Sequence, residues 1–173
     1  MARAFMIIDM LKDFCLPGGV LYVGDKAAEI IPYIDKELAK ARDNGAHVIY
    51  LCDSHPPDDK EFERFPRHCV RETEGAEIID ALAPKPQDIV IPKTRFDAFI
   101  GTNLEEILRA REIDEVDVVG VCTSICVLET VSGLAQRDFK VNVHRRGVAD
   151  LTEEDHEYAL RKMEALYGVT IID

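Results

Sequence analysis

The sequence predicts an α/β fold in three layers: a mostly parallel sheet of about six strands between helices, organised as one domain over residues 1–173. Three observations carry this prediction. Near-continuous apolar runs of strand length alternate with helix-spaced apolar stretches from end to end. Several of those runs stop abruptly on a charged residue, as buried parallel strands do where they leave the core. No internal repeat, low-complexity tract or linker interrupts the alternation.

The first strand covers 3–9, Arg-Ala-Phe-Met-Ile-Ile-Asp, and delivers Asp9 at its carboxyl end. Pro17, Gly18, Gly19 and Gly24 then mark a turn-rich loop, within which Phe14 either packs locally or lines a site. Pro32 is expected at the first position of a helix, where its missing N–H costs nothing, with Ile34, Leu38 and Ala41 on the apolar face and Asn44-Gly45 as the stop. The second strand, 47–52, runs straight into Asp53. Residues 53–75 form the longest irregular stretch, rich in proline and charge, and too long to be a mere connector. A third strand, 88–92, ends at Lys93, and Ile107, Leu108 and Ile113 mark the apolar face of the helix that follows.

Val116, Val118, Val119 and Val121 form a fourth strand, Gly120 permits close backbone approach, and Thr123 and Ser124 open a helix with Cys126 in its first turn. Unpaired N–H groups and the positive end of the helix dipole favour a thiolate there, so Cys126 is a candidate nucleophile; a small buried apolar residue is the other reading. A strand over 140–143, a helix over Glu153–Tyr167 stopped by Gly168, and a last strand over 169–172 complete the chain.

With 21 basic and 33 acidic residues the net charge is -12, which argues against a nucleic-acid partner. No apolar run reaches membrane-span length, and the amino terminus meets a carboxylate before a signal-peptide core could form, so a cytoplasmic protein with no membrane partner is expected. Five cysteines without a C-x-x-C pair indicate neither a disulfide framework nor a thiolate zinc site. No G-x-G-x-x-G follows the first strand, which disfavours dinucleotide binding.

Ligands of open parallel sheets bind outside the carboxyl ends of the strands, so Asp9, Asp53, Lys93 and Cys126 belong together. A carboxylate that takes the thiol proton, an ammonium that holds both and a helix start that binds an oxyanion are the parts of a cysteine acyl-transfer site. Histidine, the usual base, is missing, so Asp9 needs burial or coupling to raise its basicity. A second cluster, Asp53, His55, Glu61, Glu63 and His68, suits a divalent ion, with zinc leading and manganese or iron as alternatives.

These pieces resemble the isochorismatase-like cysteine hydrolases, and among them most closely the nicotinamidases (pyrazinamidases), over essentially the whole chain. The matching stretches are Ile-Ile-Asp9-Met-Leu-Lys-Asp-Phe14, Asp53-Ser-His55-Pro-Pro-Asp, Phe65-Pro-Arg-His68-Cys-Val, Lys93-Thr-Arg-Phe-Asp-Ala-Phe99 and Gly120-Val-Cys-Thr-Ser-Ile-Cys126-Val. The resemblance implies a triad of Cys126 as nucleophile, Asp9 as proton acceptor and donor, and Lys93 as the charge that holds them. It implies a non-proline cis peptide before Cys122 and an oxyanion hole from the backbone N–H groups of Cys122 and Cys126. It also implies metal ligation by Asp53, His55 and His68, with Glu61, or else Glu63 or water, in the fourth place. Phe14, Phe65 and Phe96 match positions that wall a pyridine ring. The implied function is metal-dependent hydrolysis of nicotinamide through a thioester, within NAD salvage, by a homo-oligomer acting on a small amide. Another small-amide or carbamoyl hydrolase on the same scaffold is the alternative, and a thiol sensor the remote one. Ser124, often Asp in relatives, and His144-Arg145-Arg146-Gly147, often more apolar and acidic there, depart from the pattern.

Overall fold

The computed structural model describes residues 2–173. Its strands are β1 (Ala2–Ile8), β2 (His47–Asp53), β3 (Ile89–Lys93), β4 (Ile113–Val121), β5 (Lys140–Ala149) and β6 (Thr170–Ile172). They form one sheet in the order β3-β2-β1-β4-β5-β6, and every neighbouring pair is parallel. The direction of winding reverses between β1 and β4, the crevice where open α/β sheets bind ligands. Five helices, α1 (Lys12–Cys15), α2 (Asp25–Asp43), α3 (Leu104–Ala110), α4 (Leu128–Ala135) and α5 (Glu153–Tyr167), accompany the sheet among the described residues.

Two apolar cores follow from the two-residue period of β1. Ala4, Met6 and Ile8 face one way and pack with Leu104, Leu108, Val131, Leu134, Leu160 and Met163 of α3, α4 and α5. Phe5 and Ile7 face the other way, onto Ala27, Ile30, Ile34 and Leu38 of α2. Strands buried on both faces need continuous apolar sequence, hence the unbroken runs.

Four expectations are corrected. α2 starts at Asp25, so Pro32 lies inside the helix rather than at its first position. The buried stripe begins at Ala27, and its packing outweighs the roughly 3 kcal/mol that an interior proline costs. The turn-rich segment after Asp9 contains the short helix α1, which buries Phe14 and Cys15. Ile113 opens β4 rather than closing a helix, because Glu112 at φ 50° turns the chain out of α3. β5 runs on from Val143 to Ala149: a register shift against β4 lets Val148 and Ala149 pair with Gly120 and Val121, carrying the polar His144-Arg145-Arg146 within the strand. No helix among the described residues is long and apolar enough to cross a membrane.

Gly120 shows how tightly the crevice is built. Its φ is +124°, and a Cβ there would sit 2.0 Å from the carbonyl oxygen of Ile8. Gly120→Ala is therefore expected to lose at least about 3 kcal/mol of stability, read as a fall in the urea midpoint. A midpoint equal to wild type would contradict this account of the β1–β4 contact.

Candidate active site

Each chemical group reaches the crevice from a strand end. Asp9 follows β1 at φ 52°, a left-handed conformation that aspartate tolerates better than most residues. Its N–H donates to the Leu51 carbonyl at 2.9 Å, and its Oδ1 accepts the Asp53 N–H at 2.8 Å, so the carboxylate is locked across the β1–β2 pair. Asp53 and Lys93 are register partners at the ends of β2 and β3. The Lys93 ammonium, fully buried, lies 2.8 Å from Asp9 Oδ2 and pairs with Asp53 Oδ1. It also donates to the Arg95 carbonyl at 3.2 Å and to Cys126 Sγ at 3.5 Å.

Cys126 follows β4, on a π-helical turn, Thr123–Val127, that leads into α4. The sequence predicted an ordinary helical first turn. Instead the Val127 N–H reaches back five residues to the Cys122 carbonyl at 3.2 Å, a widening that often marks functional sites. The Val121–Cys122 peptide is cis, as the resemblance implied. Cys126 Sγ lies within 4.8 Å of carboxylate oxygens of both Asp9 and Asp53.

The electrostatics correct the expectation of a resting thiolate. Burial pushes the Cys126 thiol well up, the charges of Asp9 and Asp53 push it further, and Lys93 only partly opposes them. Burial likewise raises Asp9 to about 6, with Asp53 adding to the rise and Lys93 pulling against it. For Asp53, burial is outweighed by Lys93 and His55, which hold it below the ordinary carboxylate value. Burial and the neighbouring carboxylates thus favour the thiol form of Cys126, beside a carboxylate of raised basicity clamped by one lysine.

The second cluster adjoins the first through Asp53, whose other oxygen, Oδ2, lies 3.5 Å from His55 Nε2 and 3.9 Å from His68 Nε2. Glu61 Oε1 lies 4.0 Å and 3.8 Å from the same two nitrogens. Glu61 is buried, whereas Glu63 is exposed and stands apart. These separations are slightly wider than the roughly 3.4 Å edge of a tetrahedron with 2.1 Å metal–ligand bonds. His55 Nε2 is buried without a hydrogen-bond partner, while the Nδ1 atoms are occupied, His55 by Asp59 at 3.0 Å and His68 by the Pro66 carbonyl at 2.7 Å. Two Nε2 atoms turned inward, with two carboxylates between them, fit a zinc-like divalent ion.

Asp59 and Phe62 are the residues sequence reasoning missed. Asp59 accepts from the Glu61 N–H at 2.9 Å and pairs with Arg95 at 3.1 Å, so one side chain orients His55 and anchors the turn carrying Glu61. Phe62 packs on both imidazoles, with ring centroids 5.4 Å from His55 and 5.6 Å from His68. A carboxylate four residues after a candidate histidine ligand was the available signal for Asp59. Phe62 gave none.

A pocket of about 400 Å³, counting its mouth, joins the two clusters. Asp9, Cys122 and Cys126 of the first cluster line it together with Glu61 and His68 of the second, and Asp53, which belongs to both, lines it too. Phe14, Phe65 and Phe96 form aromatic walls, Phe65 meeting Phe96 edge-on at 6.2 Å. All three predicted wall residues thus line the same space.

A parallel sheet in this strand order, with its polar groups gathered at the switch point, defines a Rossmann-like α/β protein whose site lies at the carboxyl ends of the strands. The isochorismatase domain model matches residues 3–173, and the chain belongs to the isochorismatase family. The crystal structure of nicotinamidase/pyrazinamidase PncA from Bacillus subtilis superposes with a TM-score of 0.95 at 34% identity, over 100% of both chains. Pyrazinamidase of Pyrococcus horikoshii, solved in complex with zinc, gives 0.93 at 31% identity, over 100% of this chain and 99% of that one. N-carbamoylsarcosine amidase from Thermoplasma acidophilum gives 0.91 at 31% identity, over 99% and 96%.

Proposed function

We propose that the chain is a metal-dependent nicotinamidase, hydrolysing nicotinamide to nicotinate and ammonia. The observation that carries this reading is one pocket lined by residues of both the thiol–carboxylate cluster and a metal-binding group of Asp53, His55 and His68, with Glu61 beside its two imidazoles and three phenylalanines in the wall. A flat aromatic ring suits those walls, and a ring nitrogen directed at the metal end leaves the carboxamide carbon facing Cys126.

Charge separates this reading from carbamoyl or acidic amides. Of the charged-type side chains in the wall, Asp9, Asp53 and Glu61 are acids and His68 is grouped with Asp53 at the metal cluster; Lys93 is enclosed by Asp9 and Asp53. No arginine or lysine lines the pocket to receive a substrate carboxylate such as that of N-carbamoylsarcosine. A neutral aromatic amide avoids that conflict.

In the mechanism, Cys126 Sγ attacks the amide carbon while its proton passes to Asp9, whose raised basicity suits it to the task. The backbone N–H groups of Cys122 and Cys126 receive the developing oxyanion. Asp9 then gives its proton to the departing nitrogen, ammonia leaves, and a thioester to Cys126 remains. Asp9 next takes a proton from the attacking water, the C–S bond breaks, and the thiol is restored with release of the acid. Lys93 stays charged throughout and fixes Asp9 and Cys126 relative to one another. Asp53, His55, His68 and Glu61 would hold the metal, which when bound supplies Lewis acidity and a ligand position for the substrate ring. The reading carries with it a place in NAD salvage, a cytoplasmic setting and self-association.

The test is ammonia release from nicotinamide by protein stripped of metal and then reloaded with zinc, manganese or iron. Chelation is expected to remove activity and reloading to restore it. A folded chain that releases ammonia from another small amide, but from nicotinamide with none of these metals, would keep the Cys126 chemistry and discard this substrate.

A further inference from the structure

The π-helical turn that carries Cys126 has no side-chain cap of its own at Cys122. Its restraint comes from the segment that follows β5. Asp150, 2% exposed, accepts the Ser124 N–H on Oδ2 at 2.6 Å and the Leu151 N–H on Oδ1 at 2.8 Å. On the adjacent residue, the buried Thr123 hydroxyl lies 2.9 Å from His156 Nδ1 of α5. Two consecutive residues of the turn are therefore tied to side chains 26 and 33 residues further along the chain.

Asp150 is not there to cap α5. That helix has its own cap, Thr152, whose hydroxyl accepts the Asp155 N–H at 3.1 Å. Nor is it half of an ion pair, since its hydrogen-bond partners are two backbone N–H groups. A buried carboxylate of this kind makes short, strong bonds, and the shorter of the two goes to the turn that presents the nucleophile.

We propose that Asp150 is a positioning residue of the hydrolytic reaction, pinning Ser124 so that the Cys126 thiol and the N–H groups of the turn stay aligned on the amide carbonyl, with His156 as a second anchor. This rests on the amidase reading above. Substrate binding draws on the phenylalanine walls and the metal end, which Asp150 does not touch, so losing the pin acts on turnover rather than on binding. A misplacement of about 1 Å at reacting atoms costs on the order of 100-fold in rate.

The experiment compares wild type with Asp150→Ala, Asp150→Asn and His156→Leu, as purified and with metal content measured, on nicotinamide. The expected result is a fall in kcat of about 10- to 100-fold for Asp150→Ala, with KM and metal content near wild type. Asp150→Asn, whose amide oxygen still accepts one N–H, is expected to recover part of the loss. His156→Leu is expected to lose less than Asp150→Ala. An unchanged kcat in Asp150→Ala overturns the proposal, as does a rise in KM with kcat preserved. Wild type inactive on nicotinamide overturns the functional reading instead; the pin is then read from alkylation of Cys126 by iodoacetamide. Asp150→Ala is expected to change the rate of that alkylation, because the sulfur moves relative to Asp9 and Lys93, and an unaltered rate counts against the proposal.

Discussion

Replacing Cys126 by alanine is expected to abolish turnover, with a loss of more than about ten-thousandfold in kcat, while the protein stays folded. The sulfur is 3.5 Å from Lys93 and within 4.8 Å of the carboxylates of Asp9 and Asp53, and Cys126 is the thiol that these three charged groups share. Removing it leaves neither a nucleophile nor a proton for Asp9 to take. The structural cost is small, because one buried atom is lost and Lys93 keeps its pairing with both Asp9 and Asp53. The thermal midpoint is expected to move by only a few degrees. Cys126→Ser sharpens the test: a hydroxyl fills the space, yet its proton is held far more tightly than a thiol's, so it too should be nearly inactive. Cys15, Cys52, Cys69 and Cys122 cannot stand in. Lys93 makes its hydrogen bond to sulfur with Cys126, and Cys126 is the thiol grouped with the Asp9 and Asp53 carboxylates. Near-normal ammonia release by the alanine variant would sink the mechanism.

Much of this site was legible from sequence because strand ends are legible. An apolar run that stops at Asp9, Asp53 or Lys93 says where a buried parallel strand leaves the core, and the topology of such sheets brings those ends together. His55 and His68 stood out only by residue type in a charged loop, as part of a divalent-ion cluster with Asp53, Glu61 and Glu63, and the resemblance then implied their ligand roles. What stayed hidden depends on contacts made after folding. Asp59 is one acid among many in its loop until the fold puts it against His55 Nδ1. The interior position of Pro32 was masked by a strong local rule, which the burial of Ala27 and Ile30 overrode. The state of Cys126 was misread for a similar reason. The helix-start argument counts the local dipole, but the thiol's surroundings are set by two carboxylates from other strands and by complete burial.

Lys93→Met should affect both catalysis and stability. Methionine fills much of the lysine's volume but carries no charge, so Asp9 and Asp53, both buried, lose the cation between them. Breaking a buried ion pair by removing one partner costs about 3–5 kcal/mol, because the remaining charge is left without compensation. Two carboxylates a few ångströms apart do not both stay ionised, so one retains a proton. If it is Asp9, the base is lost, and a fall in kcat of at least about a thousandfold is expected. The sign of the pH dependence follows from the same point. In the metal-free variant a carboxyl held above its unfolded value binds more protons folded than unfolded, so stability is gained in acid and lost as pH rises through the raised value. The deficit relative to wild type should therefore be largest near neutral pH and shrink as the solution is acidified, measured by urea unfolding of metal-free protein across that range. Lys93→Arg tests the geometry separately. Its planar fork retains the charge but cannot occupy the single point between Asp9, Asp53 and Cys126, so stability should return further than activity. A variant with Met at 93 that keeps its stability at neutral pH would show that Asp9 and Asp53 are already neutralised in the wild type, and the clamp would then have no charge to hold.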